Sequence, residues 1–225
     1  MFDLISRYDS QLLDAFWMTI KLTVLSAIGA LVLGTIVAAM RVSPVPVARW
    51  VGTAYVTVFR NTPLTLILVF CSIGLLNTMR IELAHGQNSL PDNAFRWAVI
   101  GLSIYTGAFV CESLRSGINT VPLGQSEAGR SLGLTFGANL RLIVLPQAFR
   151  SVIAPLGSVL IALTKNSTIA SAIGVHEASF LMSEMIESEA QLLVIGAIFA
   201  FGFVLLTLPT GLLFGWLAKR FEVAR

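Results

Sequence analysis

Five stretches of this chain are almost free of charge, and short polar segments separate them. Residues 22–40 form the first, with 15–21 as its outer turns. Residues 61–79 form the second, and 97–111, extended by 112–114, form the third. Residues 151–164 are apolar, Lys165 interrupts them, and 169–175 complete the fourth. Residues 190–218 are the longest, which predicts a tilt or a kink near Pro209. A spanning helix needs about 20 mostly apolar residues. The pattern therefore predicts an all-α integral membrane protein, one domain over residues 1–225, with five crossings and its termini on opposite faces.

Between the first two crossings, Val47, Trp50, Val51, Ala54, Tyr55 and Val58 recur at helical i, i+3, i+4 spacing. They form either an interfacial elbow helix or the entry turns of the second crossing.

The segment between the third and fourth crossings is polar, and lipid cannot satisfy its backbone, so it lies outside the hydrocarbon. Ser126 is placed to cap a short helix opening at Glu127, whose carboxylate complements the positive helix end. Gly133 suits the left-handed position that stops a helix. Thr135 is placed to cap a second short helix running toward Leu145, with Pro146 at its exit. This reads as a rigid two-helix knob or as an ordinary helical hairpin.

Composition sharpens the class. Hydrophobic residues make up 56% of the chain and charged residues 12%, against about 25% charged in globular domains. The net charge is only +3 and the basic residues are dispersed, which excludes a nucleic-acid partner. Cys71 and Cys111 lie inside apolar stretches and read as small buried hydrophobes rather than a metal pair or disulfide. His85 and His176 are isolated, as rim or loop residues are, so no metal site is expected.

The Lys/Arg bias orients the crossings. Arg41 and Arg49, then Arg115, Arg130, Arg141 and Arg150, then Lys219, Arg220 and Arg225 fall on one side, which is predicted to be cytoplasmic. Asp3, Asp9, Asp14, Glu82, Asp92, Glu177, Glu184, Glu187 and Glu189 fall on the other. The N-terminus is therefore expected outside and the C-terminus in the cytoplasm.

Ionisable groups inside a crossing are costly and mark function or a partner. Glu112 is placed to pair with Arg115 or to end a helix. Lys165 lies about 21 Å along its crossing if that begins at Ser151. It either snorkels, pairs with Glu112, or faces a water-lined path. Ser158 lies two turns away on the same face, and Asn166, Ser167 and Thr168 adjoin it. Asn61, Thr62 and Pro63 interrupt the helical pattern of the second crossing, as cavity-lining breaks or as a Pro kink. Gly211 and Gly215 form a small-xxx-small pair suited to helix packing.

The segment Glu127-Ala128-Gly129-Arg130-Ser131-Leu132-Gly133, followed by Ile143-Val144-Leu145-Pro146, resembles the signature loop of bacterial ABC importer permeases. Gly129 stands where that family usually has Ala. The resemblance covers nearly the whole chain. Arg60-Asn61-Thr62-Pro63-Leu64 resembles the family's R-G-T-P-L element, with Asn61 in place of Gly. Lys165-Asn166-Ser167-Thr168-Ile169 resembles its K-x-T-S-L motif. Together with Glu112-Ser113-Leu114-Arg115-Ser116-Gly117-Ile118, these elements are typical of the polar amino acid group, and are similar to actinobacterial glutamate-uptake permeases.

The resemblance implies the type I importer fold and a non-enzymatic subunit that moves a polar amino acid, with L-glutamate ahead of glutamine, arginine or histidine. An ion-coupled secondary transporter is the alternative, but five crossings leave no inverted repeat. The implied partners are two ATPase subunits, a second permease, an extracytoplasmic solute-binding protein and the bilayer. Glu127, Ala128, Gly129, Gly133, Ile143, Leu145 and Pro146 would couple to the ATPase. Asn61, Thr62, Pro63, Ser158, Lys165, Asn166, Ser167 and Thr168 would line the solute path. No G-x-x-x-x-G-K-[ST] phosphate loop occurs, so ATP and Mg would be held by the partner ATPase, with no cofactor and no catalytic residue in this chain.

Overall fold

The computed structural model describes residues 2–86 and 89–221, so Arg225, counted in the charge bias, lies outside it. A short helix α1 (Phe2–Arg7) leads into α2 (Asp9–Val42), and α3 (Pro46–Asn61) follows after a brief turn. Pro46 opens α3 without cost, because the first helical N–H has no intrahelical partner anyway. α3 is a helix in its own right, so the elbow reading holds and the entry-turn reading does not. After Thr62 and Pro63 the chain bends by 103° into α4 (Leu64–Val69), continued by a π-helical stretch Phe70–Thr78. The bend is where it is because Pro63 cannot donate to the preceding turn and biases Thr62 toward extended backbone (ψ 132°).

α5 (Ser89–Asn119) is the third long helix. α6 (Leu123–Ser131) and α7 (Phe136–Asn139) form the polar connection. A π-helical turn at Leu140–Val144 joins α7 to α8 (Leu145–Asn166), and a 3-10 stretch Ser167–Ile173 ends it. α9 (Ala178–Glu189) and α10 (Leu192–Phe221) complete the chain, with α10 continuous through Pro209. Four helical segments are long and apolar enough to cross a membrane, and the bent α3–α4 pair supplies a fifth.

Small residues let the crossings approach closely. A Cβ on Gly34 would lie 2.6 Å from Val110, and one on Gly29 2.3 Å from Ser103, which sets α2 against α5. Gly117 meets Val152 of α8 in the same way. α10 meets α8 where Gly157 faces Phe214. Gly211 comes no nearer than 3.5 Å to Ile161 and Gly215 faces open space, so the expected small-residue pair is not where α10 packs most tightly. One core cluster joins Leu22, Leu68, Leu102 and Leu163, and a second joins Ala15, Met185, Ile195 and Phe199. Large apolar residues on the far faces of α2 and α10, such as Val32, Leu205 and Leu212, stay exposed, as a lipid-facing surface requires.

Contact pairs show the direction of each pass. Ser26 meets Ser103 and Gly34 meets Val110, so α2 and α5 run the same way. Gly117 meets Val152 while Ser158 and Asn166 flank Thr106, so α8 runs back. Gly157 against Phe214 and Ile161 against Gly211 return α10 to the direction of α5.

Candidate functional site

The polar connection is built differently from its expected form. α6 begins at Leu123 with Pro122 as its cap, four residues before the expected start at Glu127. Ser126 is therefore inside the helix, where its hydroxyl and carbonyl accept from Asn139 Nδ2 at 2.7 Å and 3.0 Å. The reason is Pro122, which presets the first turn and leaves no role for a serine cap. Gly133 has φ 81°, the left-handed conformation expected of it. Thr135 does cap the next helix, accepting from Ala138 N at 3.3 Å. That helix is not short. It runs through the π turn into α8, and Pro146 sits in its first turn rather than at an exit.

Gly129 is buried, and a Cβ there would lie 2.5 Å from both Asn139 Oδ1 and Ile143 Cδ1. The departure from the usual Ala thus lets α6 seat directly on the next helix. Glu127, Ala128, Leu145 and Pro146 are exposed, Ile143 is half-buried, and Leu132 and Leu142 lie open beside them. A shallow apolar cleft runs between Gly124, Ala128, Leu132, Leu142 and Ile143. Sequence reasoning missed Asn139, a polar residue in an apolar run, and that interruption was its one signal.

Between α5 and α8 lies a cavity of about 280 Å³, lined by Tyr105, Thr106, Phe109, Ser158, Val159, Ala162, Leu163 and Asn166. It has room for a small solute rather than a drug-sized one. The Thr106 hydroxyl is buried with no hydrogen-bond partner among the described residues, so it is a free polar group on this wall. Ser158 and Asn166 are thus brought together. Ser158 also donates to Ala154 O at 3.3 Å. Lys165 is exposed in the last turn of α8, next to Asn166 but not on the cavity wall. Ser167 and Thr168 donate to the carbonyls of Thr164 and Lys165, at 2.8 Å and 2.7 Å, where the α-helix tightens. Asn61 and Thr62 bond back to Thr57 O and Val58 O at the bend, with Pro63 exposed beside them. The Thr106 wall was not foreseen, because one hydroxyl among alanines and glycines carries no periodic signal.

Glu112 pairs with neither Arg115 nor Lys165. It accepts from Arg41 and, at 3.1 Å, from Arg60. α2 and α3 are the elements packed against its face of α5, and sequence distance hid both partners.

On the opposite side, Glu177 is fully buried as the cap of α9, accepting from Ser179 N at 2.9 Å and Phe180 N at 3.1 Å. Burial pushes its carboxyl up to about 7, although the two N–H bonds and the Thr19 hydroxyl pull it down. His176 stacks on Phe180 with centroids 4.2 Å apart and lines an outer cleft with Ser72 and Asn77. The helix α9 itself had been read as part of a loop.

Residues 30–223 match the family described as binding-protein-dependent transport system inner membrane component. The chain is 58% identical over 217 residues to the glutamate transport system permease protein GluC of Corynebacterium glutamicum, covering 95% of each chain. It is 36% identical over 225 residues to the probable glutamine ABC transporter permease protein GlnM of Bacillus subtilis, covering 99% of this chain and 96% of the relative. Among solved structures, an amino acid ABC transporter crystallised with histidines matches at a TM-score of 0.86 and 28% identity, over 98% of both chains. The inward-facing MetNI methionine ABC transporter shares the fold at a TM-score of 0.80 and 18% identity, over 96% of this chain and 99% of the other.

Proposed function

The chain belongs to the inner membrane components of binding-protein-dependent transport systems, and from that premise we propose that it is the permease of an ATP-driven L-glutamate importer. The observation that carries the substrate is its similarity, along nearly all of both chains, to a glutamate transport permease.

In this reading two ATPase subunits bind ATP and Mg and dock on the exposed knob of α6 and α7. Glu127, Ala128, Gly129, Gly133, Ile143, Leu145 and Pro146 form or support that knob. A second permease completes the path, and an extracytoplasmic binding protein delivers the solute. The N-terminus lies outside and the C-terminus in the cytoplasm. Ser158, Asn166 and the free hydroxyl of Thr106 offer hydrogen bonds to the amino acid in the α5–α8 cavity. Lys165, exposed beside Asn166, adds positive charge that favours an acidic solute. Ser167 and Thr168 hold the turn that presents it. Asn61, Thr62 and Pro63 hold the bend that sets α3 against α5.

The test is uptake in proteoliposomes containing the permeases, the ATPase and the binding protein. Glutamate should accumulate with ATP and stop when the ATPase is left out. Uptake driven by an ion gradient without the ATPase would overturn the reading.

A further inference from the structure

The charge cluster on α5 is unbalanced. Glu112 is the one carboxylate between two guanidinium groups, so Arg41, Arg60 and Glu112 together carry one excess positive charge. The two arginines are not equivalent. The Arg41 side chain is 9% exposed and that of Arg60 is 44% exposed. The excess charge is therefore presented by Arg60.

Arg60 is also only partly used. Its Nη1 bonds Glu112 Oε2 at 3.1 Å, and no hydrogen bond among the described residues engages its Nη2 or Nε. The guanidinium lies over the Phe109 ring, with Cζ 5.6 Å from the centroid. Phe109 is a wall of the α5–α8 cavity. One ring thus separates a half-satisfied guanidinium from the space that holds Ser158, Asn166 and Thr106. The Arg60 side chain is held from two directions, by Glu112 and by the ring face, so little entropy remains to be lost when a second anion binds. A planar fork with spare donors matches a carboxylate.

We propose that Arg60 is a specificity-determining residue, whose free guanidinium edge receives the side-chain carboxylate of an acidic amino acid at the lip of this cavity. Glu112 is its positioning residue, and Arg41 compensates Glu112 so that Arg60 keeps its charge available. This rests on the importer reading above and adds to it the group that tells glutamate from a neutral amino acid.

The complete complex, with both permeases, the ATPases and glutamate-loaded binding protein, is reconstituted with wild-type chain, Arg60→Gln or Arg60→Lys. Glutamate imported per ATP hydrolysed is measured at saturating binding protein, together with thermal melting of each complex. Arg60→Gln should lower the ratio by about tenfold or more, since it leaves a carboxylate without its charged partner. Arg60→Lys should restore most of it, because it keeps the charge while losing the fork. Melting should not follow the ratio. A wild-type ratio in Arg60→Gln would overturn the assignment. So would an equal loss in Arg60→Lys, or complexes of both variants that fail to assemble or melt early, since each marks Arg60 as a clasp between α3 and α5. A wild-type complex that imports no glutamate would sink the importer reading itself, and is told apart by the wild-type arm alone.

Discussion

The side-chain oxygen of Asn139 lies where a Cβ on Gly129 would have to go, 2.5 Å from it. The same Asn139 amide ties the next helix to Ser126 of α6. The two residues are one joint, and it decides how the knob is seated. Gly129→Ala should disturb this seat by about 1–3 kcal/mol. Asn139→Ala should weaken it too, by loss of its bonds. The double variant should cost less than the sum, because the clash is gone. ATPase activity stimulated by loaded binding protein reads the effect, and strict additivity would show that the two residues do not share a joint.

Gly133 holds φ 81° at the end of α6. A β-branched residue is strained there, and left-handed backbone costs L-residues about 1–2 kcal/mol or more. Gly133→Val should lower both uptake and stimulated ATPase while the chain still inserts, and Gly133→Asn should be milder. Normal transport by Gly133→Val would remove this turn from the coupling element.

Orientation is accessible to chemistry, since Cys71 and Cys111 are both buried and free. Glu184 and Arg141 are exposed at opposite ends of the bundle. Glu184→Cys should react with an impermeant thiol reagent in intact cells, and Arg141→Cys only after permeabilisation. The reverse pattern would invert the topology.

Lys165→Ala should reduce glutamate transport more than it reduces assembly of the complex. Assembly with wild-type glutamate transport would make Lys165 a structural residue.

Glu177 predicts a pH dependence of stability. Its carboxyl is pushed up to about 7 in the fold, from 4.5 when unperturbed. Between those values the folded chain holds a proton that the unfolded chain has released. Stability therefore falls as pH rises through that window and levels off above it. The melting temperature of the wild type should fall relative to Glu177→Gln from pH about 5 to about 8. A constant difference across that range would contradict the buried, proton-holding cap.

The crossings were legible because lipid imposes a long apolar run on each. Gly133 and Thr135 were legible because turn and cap chemistry is local. The Ser126 cap failed because Pro122, four residues upstream, starts the helix first. The partners of Glu112 were out of reach for a different reason. Arg41 and Arg60 are more than fifty residues away in sequence, at separations of 71 and 52. Nothing in a one-dimensional pattern says which arginine a tertiary contact will select. α9 was missed because one buried carboxylate caps it, while acidic residues along it read as a solvated loop.

The π-helical turn at Leu140–Val144 works as a phase setting. The buried residues Asn139, Val144, Ala148 and Val152 fall at steps of five, four and four. The step of five coincides with the turn, where the wider winding absorbs one additional residue. In ordinary α-helix that residue would swing everything beyond it by about 100°. The end that meets α6 and the part that meets α5 are thus indexed to each other by one residue of winding. Deleting a single residue here would leave every side chain of the knob in place and point it in the wrong direction.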